Sequence, residues 1–297
     1  MSFKSGYIGL VGLPNAGKST LLNTILKSKV AIVSPKAQTT RHVIVGIYNG
    51  EHEQFVFLDT PGFHQVGDGL SKQMVKATTV TIPDVDLIYF IVDGKHKPGQ
   101  NDKRLISLVE KANRQVFLIL NKIDQLNKEQ LLNQLTLWSE LFHFNEIIPI
   151  SALNHDNVDR LLQVTRDYIP NGEPFYLSDA ITTQSEQMII AEIVREKVIH
   201  LTNQEVPHSV AVVLDELEFL ENKLNIMATV VVDKDSQKGI LIGKAGQKKN
   251  EIIKQASIDL RRLYQLKVNL QLFVKVEKNW RNKQSRLTEY GYDPTKQ

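Results

Sequence analysis

Hydrophobic positions fall into two regimes along the chain. In the first, Tyr7–Val11, Leu87–Val92 and Val116–Leu120 are nearly continuous apolar runs, as strands become when a parallel sheet is buried on both faces. Val43–Tyr48 and Gln54–Leu58 are two further strand-like runs, and Asn49-Gly50 between them predicts a hairpin. Apolar positions at helical spacing cover Thr20–Leu26, Leu70–Thr81, Asn101–Ala112, Lys128–Leu141 and Val158–Tyr168, with a last short strand at Ile147–Ile150. Strands alternating with helices predict a doubly wound, mostly parallel α/β sheet over residues 1–170. The polar segment from Lys27 to His42 has no period and is expected to be a long, functional loop.

Pro170-Asn171-Gly172-Glu173-Pro174 ends this regime, and residues 171–184 are expected to form a linker. Beyond it the pattern becomes helix (Glu186–Leu201), strand (Val210–Leu214), strand (Leu224–Val232), a short helix before Gly243, a longer helix through Leu263, and strand (Leu266–Glu277). That α-β-β-α-α-β order over residues 185–297 predicts a separate, smaller α+β domain with a C-terminal tail.

Composition is that of an ordinary globular protein, with 42% hydrophobic and 23% charged residues among 297. The absence of cysteine excludes disulfides and thiolate metal sites. The apolar N-terminal run is only one strand long, unlike a signal peptide, and no apolar stretch approaches the ~20 residues of a membrane span. A cytosolic protein is expected. The net charge of +3 hides an asymmetry: Lys234–Arg286 holds 14 Lys/Arg against 4 Asp/Glu, while the remainder is net acidic. A basic last part suggests a polyanionic partner.

The candidate chemistry concentrates in four segments of the first domain. Gly12-Leu13-Pro14-Asn15-Ala16-Gly17-Lys18-Ser19 fits G-x-x-x-x-G-K-[ST] between a strand and a helix that continues with Thr20. Backbone N–H groups at that helix start would cradle phosphates, Lys18 would reach the β- and γ-phosphates, and the Ser19 hydroxyl would ligate Mg²⁺. Asp59-Thr60-Pro61-Gly62 follows a strand; its carboxylate would hold Mg²⁺ through water and Gly62 would offer its N–H to a γ-phosphate. Asn121-Lys122-Ile123-Asp124 selects the base. Asp124 can accept from guanine N1–H and N2–H₂, where adenine presents an N1 acceptor and no N2 donor, so the nucleotide is GTP or GDP rather than ATP. Ser151-Ala152-Leu153 would complete the base pocket with backbone N–H groups. In the second domain, Gly243-Lys244-Ala245-Gly246 follows Ile242 between two helices, with Lys248, Lys249, Lys254, Arg261 and Arg262 on the next helix. This is the G-x-x-G arrangement of a KH domain, which takes single-stranded RNA. Trp280 is expected either to stack on a base or to anchor the tail.

These segments, in this order, resemble the translation-factor-type GTPases. Pro-Asn-Ala-Gly-Lys-Ser-Thr, Lys36-Ala37-Gln38-Thr39-Thr40-Arg41-His42 and Asp-Thr-Pro-Gly are similar to the Era-type GTPases of bacteria over essentially the whole chain. Leu13 departs from the arginine often found after the first glycine there. The resemblance implies a P-loop GTPase domain followed by a type II KH domain. It also implies a switch segment through Gln38, Thr39, Thr40 and Arg41, with Thr40 favoured over Thr39 as a Mg²⁺ ligand. Asn15 resembles an asparagine that holds K⁺ in some related GTPases. Phe63 stands where Ras-type enzymes have a water-orienting glutamine, so slow intrinsic hydrolysis is expected, and His64 reads as an exposed loop residue rather than a base. The implied partners are the 3′ end of small-subunit (16S) rRNA and precursors of the 30S subunit, with no DNA and a monomeric protein. Two other readings are a GTPase signalling through a protein or the inner face of the membrane, and a GDP-bound scaffold with negligible turnover.

Overall fold

A computed structural model describes residues 2–34, 36, 39–63, 67–202, 206–207 and 209–292. The chain divides into two compact units: one comprises 1–33, 40–67 and 71–183, the other 34–39, 68–70 and 184–297. Gln38, His64 and the final residues from Asp293 lie outside the described residues.

The first unit carries a six-stranded sheet in the order β2-β3-β1-β4-β5-β6. Its strands are β1 (Lys4–Val11), β2 (Ile44–Asn49), β3 (Glu53–Asp59), β4 (Leu87–Asp93), β5 (Gln115–Asn121) and β6 (Glu146–Pro149). All neighbours are parallel except β2 and β3, the antiparallel hairpin expected at Asn49-Gly50. The helices are α1 (Lys18–Leu26), α2 (Gly69–Thr81, from Ser71 onward in this unit), α3 (Gln100–Lys111), α4 (Lys128–Ser139) and α5 (Val158–Tyr168). Strand alternation sorts the apolar runs into two cores. Tyr89, Phe117 and Ile119 join Leu10, Leu22, Phe57 and Leu161 on one face. Ile88, Phe90, Leu118 and Leu120 join Val109 and Trp138 on the other. Continuous apolar strands are therefore required, because each face has its own helical layer.

Segment 171–183, expected to be a linker, belongs to the first unit. Gly172 N–H donates to Phe3 O (3.1 Å) and Ile47 N–H to Ile181 O (2.7 Å). Gln54 Oε1 accepts from Phe175 and Tyr176 N–H at 2.7 and 2.9 Å, and Thr182 Oγ1 donates to Val45 O at 2.6 Å. The breakers stop α5, and the chain then covers β2, whose other edge would be open.

The second unit has a three-stranded sheet, β7-β8-β9, built from β7 (Ala211–Leu220), β8 (Lys223–Val232) and β9 (Lys267–Val276). β7 and β8 are antiparallel, β8 and β9 parallel. Helices α6 (Glu186–Leu201), α7 (Asp235–Ile242) and α8 (Gln247–Tyr264) accompany it, and α9 (Gln284–Glu289) lies in the tail. The order is the expected α-β-β-α-α-β. β7 runs six residues beyond its expected end: its register shifts between Leu214 and Glu216, and the residues from Asp215 to Leu220, half of them acidic, are mostly exposed. Among the described residues no helix is long and apolar enough to cross a membrane.

Candidate functional site

The candidate nucleotide residues gather where β1, β3, β5 and β6 end, the edge at which open α/β sheets take ligands. α1 begins at Lys18, directly after the phosphate loop. Gly17 sits at φ 98°, and a Cβ there would come 2.1 Å from Asn121 Nδ2. The position therefore needs glycine for both backbone and space. That close approach serves a bond: Asn121 Nδ2 donates to Ala16 O at 2.9 Å. Asn121 Oδ1 accepts from Lys122 N–H (2.8 Å) and Ala152 N–H (3.0 Å). One buried amide thus ties the phosphate loop, the base loop and the Ser151–Leu153 segment together. Lys122, held at φ 64°, donates from Nζ to Asn15 O at 2.7 Å and to Asp93 Oδ2 at 2.6 Å.

Asp124 is exposed at the mouth of the site, and Ser151 Oγ donates to its Oδ1 at 2.6 Å. The serine hydroxyl, not only backbone, therefore orients the base-reading carboxylate. The Leu153 side chain is 72% exposed, so what this residue can offer the site is its backbone.

Ser19, Thr40 and Asp59 converge. Ser19 Oγ lies 2.9 Å from Thr40 Oγ1 and donates to Asp59 Oδ2 at 2.5 Å. Thr39 instead turns its hydroxyl to Lys36 O at 2.7 Å, so the structure distinguishes the two threonines: Thr40 is the one beside Ser19. Asp59 is fully buried, and its Oδ1 has no hydrogen-bond partner. A buried carboxylate oxygen left unpaired beside two hydroxyls is a hard-oxygen set that fits Mg²⁺. Burial pushes the Asp59 carboxyl up to about 6, against the opposing pull of Lys18 and the Ser19 hydrogen bond. Burial likewise pushes Lys18 down to about 8, with Asp59 opposing. Lys18 Nζ donates to Gly12 O and Leu13 O, each at 3.1 Å, which parks the ammonium inside the loop that would receive phosphate.

In the Asp59–Gly62 segment, Thr60 is buried and its hydroxyl donates to Leu10 O at 2.8 Å. Thr60 therefore braces β3 against β1. Phe63 N–H donates to Gly12 O (3.1 Å), and its half-buried ring packs against the core that contains Val11 and Phe90. It carries no group that could orient water. Arg41 is buried, while Pro14 and Thr20 are half-buried at the loop.

In the second unit, α7 ends at Gly243 (φ 70°), Ala245 takes φ 50°, and Gly246 (φ 79°) precedes α8. A Cβ on Gly246 would meet nothing within 4 Å, leaving the turn open to a backbone phosphate. Lys244 is exposed, and Lys248 and Lys249 are half-buried in the first turn of α8. Two expected RNA contacts do not join this patch. Arg261 lies 13 residues beyond Lys248, about 20 Å along the helix and about 140° around it. Trp280 is fully buried, donates from Nε1 to Ser209 O at 3.1 Å, and packs against Tyr290 and Tyr292. It anchors the tail, because its indole ring and its N–H both find partners inside the unit. The residue that sequence reasoning missed is Asp93, the partner of Lys122; its only signal is a carboxylate closing the apolar run of β4.

Residues 7–122 match the family model described as 50S ribosome-binding GTPase, and residues 205–281 that of the KH domain. Among solved structures, the chain is 37% identical to Aquifex aeolicus Era bound to GDP.AlF4⁻, with a TM-score of 0.95, covering 98% of this chain and 99% of that one. It is 38% identical to Era in complex with MgGDPNP and nucleotides 1506–1542 of 16S ribosomal RNA, with a TM-score of 0.94 and the same coverage of both chains. With both of its units and their order shared over nearly its whole length, the chain belongs to the Era family of GTPases.

Proposed function

We propose that this protein is an RNA-binding GTPase switch that takes the 3′ end of 16S rRNA on its KH unit and assists assembly of the 30S subunit. The observation that carries the reading is the coexistence, in one chain, of the Ser19–Thr40–Asp59 oxygen cluster with an open, basic Gly243–Gly246 turn. Its support is the near-full-length similarity to an Era whose complex contains both MgGDPNP and 16S rRNA nucleotides.

In this reading Lys18 leaves the Gly12 and Leu13 carbonyls for the β- and γ-phosphates, and Asp124, oriented by Ser151, accepts from the guanine edge. The Ser19 and Thr40 hydroxyls and the Asp59 carboxylate would hold Mg²⁺, which when bound neutralises phosphate charge. Thr40 lies in the segment that follows Lys36 and Thr39, so its engagement with the γ-phosphate site is the ordering event of the switch. Phe63 supplies no water-orienting group, so turnover is slow until a partner or another group positions the water. Asn15, exposed on the phosphate loop, makes K⁺ the monovalent ion to compare with Na⁺ in turnover assays. The protein acts as a cytoplasmic monomer, with any membrane contact peripheral.

The test is binding of a 16S rRNA 3′-end fragment and a scrambled RNA of equal length to the GTP-analogue-loaded full chain. Selective binding, lost in a Lys244→Asp, Lys248→Asp double variant, is expected. Equal binding of both RNAs, or salt-sensitive binding to anionic vesicles without RNA selectivity, would overturn the RNA reading in favour of a membrane-surface GTPase.

A further inference from the structure

We infer that Asp93, at the end of β4, is the positioning residue that holds Lys122 across the phosphate loop and thereby sets how long a guanine nucleotide stays bound. The inference rests on the guanine-nucleotide reading of the site. Lys122 is a flexible, strongly hydrated cation held in a left-handed backbone conformation, at φ 64°, which is unfavourable for a lysine. Something must fix its side chain if it is to serve as a wall of the site.

Two bonds do so. Lys122 Nζ reaches Asn15 O at 2.7 Å and Asp93 Oδ2 at 2.6 Å. The carboxylate is itself oriented, because Asp93 Oδ1 accepts from Lys95 N–H at 2.9 Å. Register does the rest. Asp93 pairs with Asn121 at the ends of β4 and β5, and Gly94 N–H donates to Asn121 O at 2.7 Å, so the carboxylate arrives beside the base loop by strand alignment alone. Lys122 and Asp93 side chains are each 29% exposed, so their short charge-assisted bond is partly shielded from water. Burial raises the Asp93 carboxyl, but the Lys122 hydrogen bond, the Lys95 N–H and the nearby Lys122 and His96 charges prevail and hold it below its usual value.

The geometry assigns a division of labour. Asn121 ties the base loop to Ala16 by a neutral amide, whereas Asp93 ties it to Asn15 through a cation. Neither Asn15 O nor Lys122 Nζ is part of the Ser19–Thr40–Asp59 cluster, so the Asp93 link holds features that GDP and GTP share. Its loss should speed release of both nucleotides alike and leave the chemical step alone.

The experiment uses the full chain and a fluorescent GDP analogue and a fluorescent non-hydrolysable GTP analogue, with release rates measured by displacement. Asp93→Ala is expected to speed release of both by about tenfold, the worth of one charge-assisted hydrogen bond. Asp93→Asn, which keeps the shape and the bond from Lys95 N–H, is expected to show a smaller acceleration of the same sign and carries the test if the alanine variant does not fold. In a Lys122→Met background, Asp93→Ala should change release by less than about twofold, because its partner is gone. Single-turnover hydrolysis at saturating GTP separates retention from chemistry and should keep its rate in Asp93→Asn. The inference is overturned by unaltered release in both single variants, by full multiplication of the two effects in the double variant, or by a loss confined to GTP. Absence of nucleotide binding by the unsubstituted protein would instead defeat the guanine-nucleotide reading itself.

Discussion

Gly17→Ala puts the coupling between the phosphate loop and the base loop under the sharpest test. The added Cβ would stand 2.1 Å from Asn121 Nδ2 and 3.4 Å from its Cγ, at a backbone φ of 98°. The backbone strain alone costs about 1–2 kcal/mol. The amide must also move, and with it go its bonds to Ala16 O, Lys122 N–H and Ala152 N–H. Losing two of the three, at about 1 kcal/mol each, brings the total to roughly 3–4 kcal/mol. If that falls on the bound state, GDP affinity drops roughly a hundred- to a thousandfold. Titration with a fluorescent GDP analogue reads this directly, with circular dichroism to establish that the variant is folded. Gly246→Ala is the matched control: its φ of 79° gives similar strain, but nothing lies within 4 Å of the new Cβ, so GDP affinity should be unchanged. A folded Gly17→Ala protein that binds GDP within about threefold of the parent would refute the claim that Asn121 joins the two loops.

Three further predictions follow from the same site and from the tail. Asp124→Asn should exchange preference for GTP against xanthosine triphosphate, because an amide can donate where guanine's N2–H₂ becomes a carbonyl; competition between the two nucleotides reads it. In the nucleotide- and metal-free protein, the folded Asp59 carboxyl at about 6 lies above its ordinary 3.8, so its contribution to stability is complete below about pH 4 and lost as pH rises through 6. Lys18 at about 8 lies below its ordinary 10.5, so its contribution is lost as pH falls through 8. Together they place a stability minimum between pH 6 and 8, deep by on the order of 3 kcal/mol for Asp59 alone, where Mg-GDP should raise Tm most; Asp59→Asn should remove the acidic limb. Trp280→Phe should lose about 1–2 kcal/mol in denaturant unfolding through the bond to Ser209 while leaving RNA affinity unchanged, as a buried anchor requires.

Much of the fold could be read from local pattern. Val158–Tyr168 and Glu186–Leu201 form helices over the spans expected of them; the first buries one face through Val158, Leu161, Leu162 and Thr165, whereas the second is buried on all sides over residues 192–199. The first unit's strands were legible because burial on both faces leaves no polar interruption. The outer half of β7 was not, since past the bulge most of its side chains are exposed, and the contacts it makes, Phe219 with Tyr264 and Glu218 with Asn225, are with other elements. Segment 171–183 looked like a linker because Pro and Gly exclude regular structure, yet its bonds to Gln54 and Ile47 are long-range and leave no local trace. The site followed the same rule. Motifs placed Lys18, Asp59 and Asn121, whereas the Thr40 assignment, the Ser151 bond to Asp124 and the Asp93 bond to Lys122 each depend on residues 21–29 positions apart in sequence. Trp280 remained open between two roles because an aromatic ring suits a core and a base equally well, and only its burial decides.

The central claim, that the nucleotide site governs an RNA-binding turn, is tested most directly by the affinity of the full chain for a 16S rRNA 3′-end fragment in the GDP and the non-hydrolysable GTP states. The account predicts tighter binding in the GTP-analogue state, with the difference abolished in Lys18→Ala and binding itself lost in Lys244→Asp, Lys248→Asp. Equal affinity in the two nucleotide states, with both nucleotides shown to be bound, would contradict it.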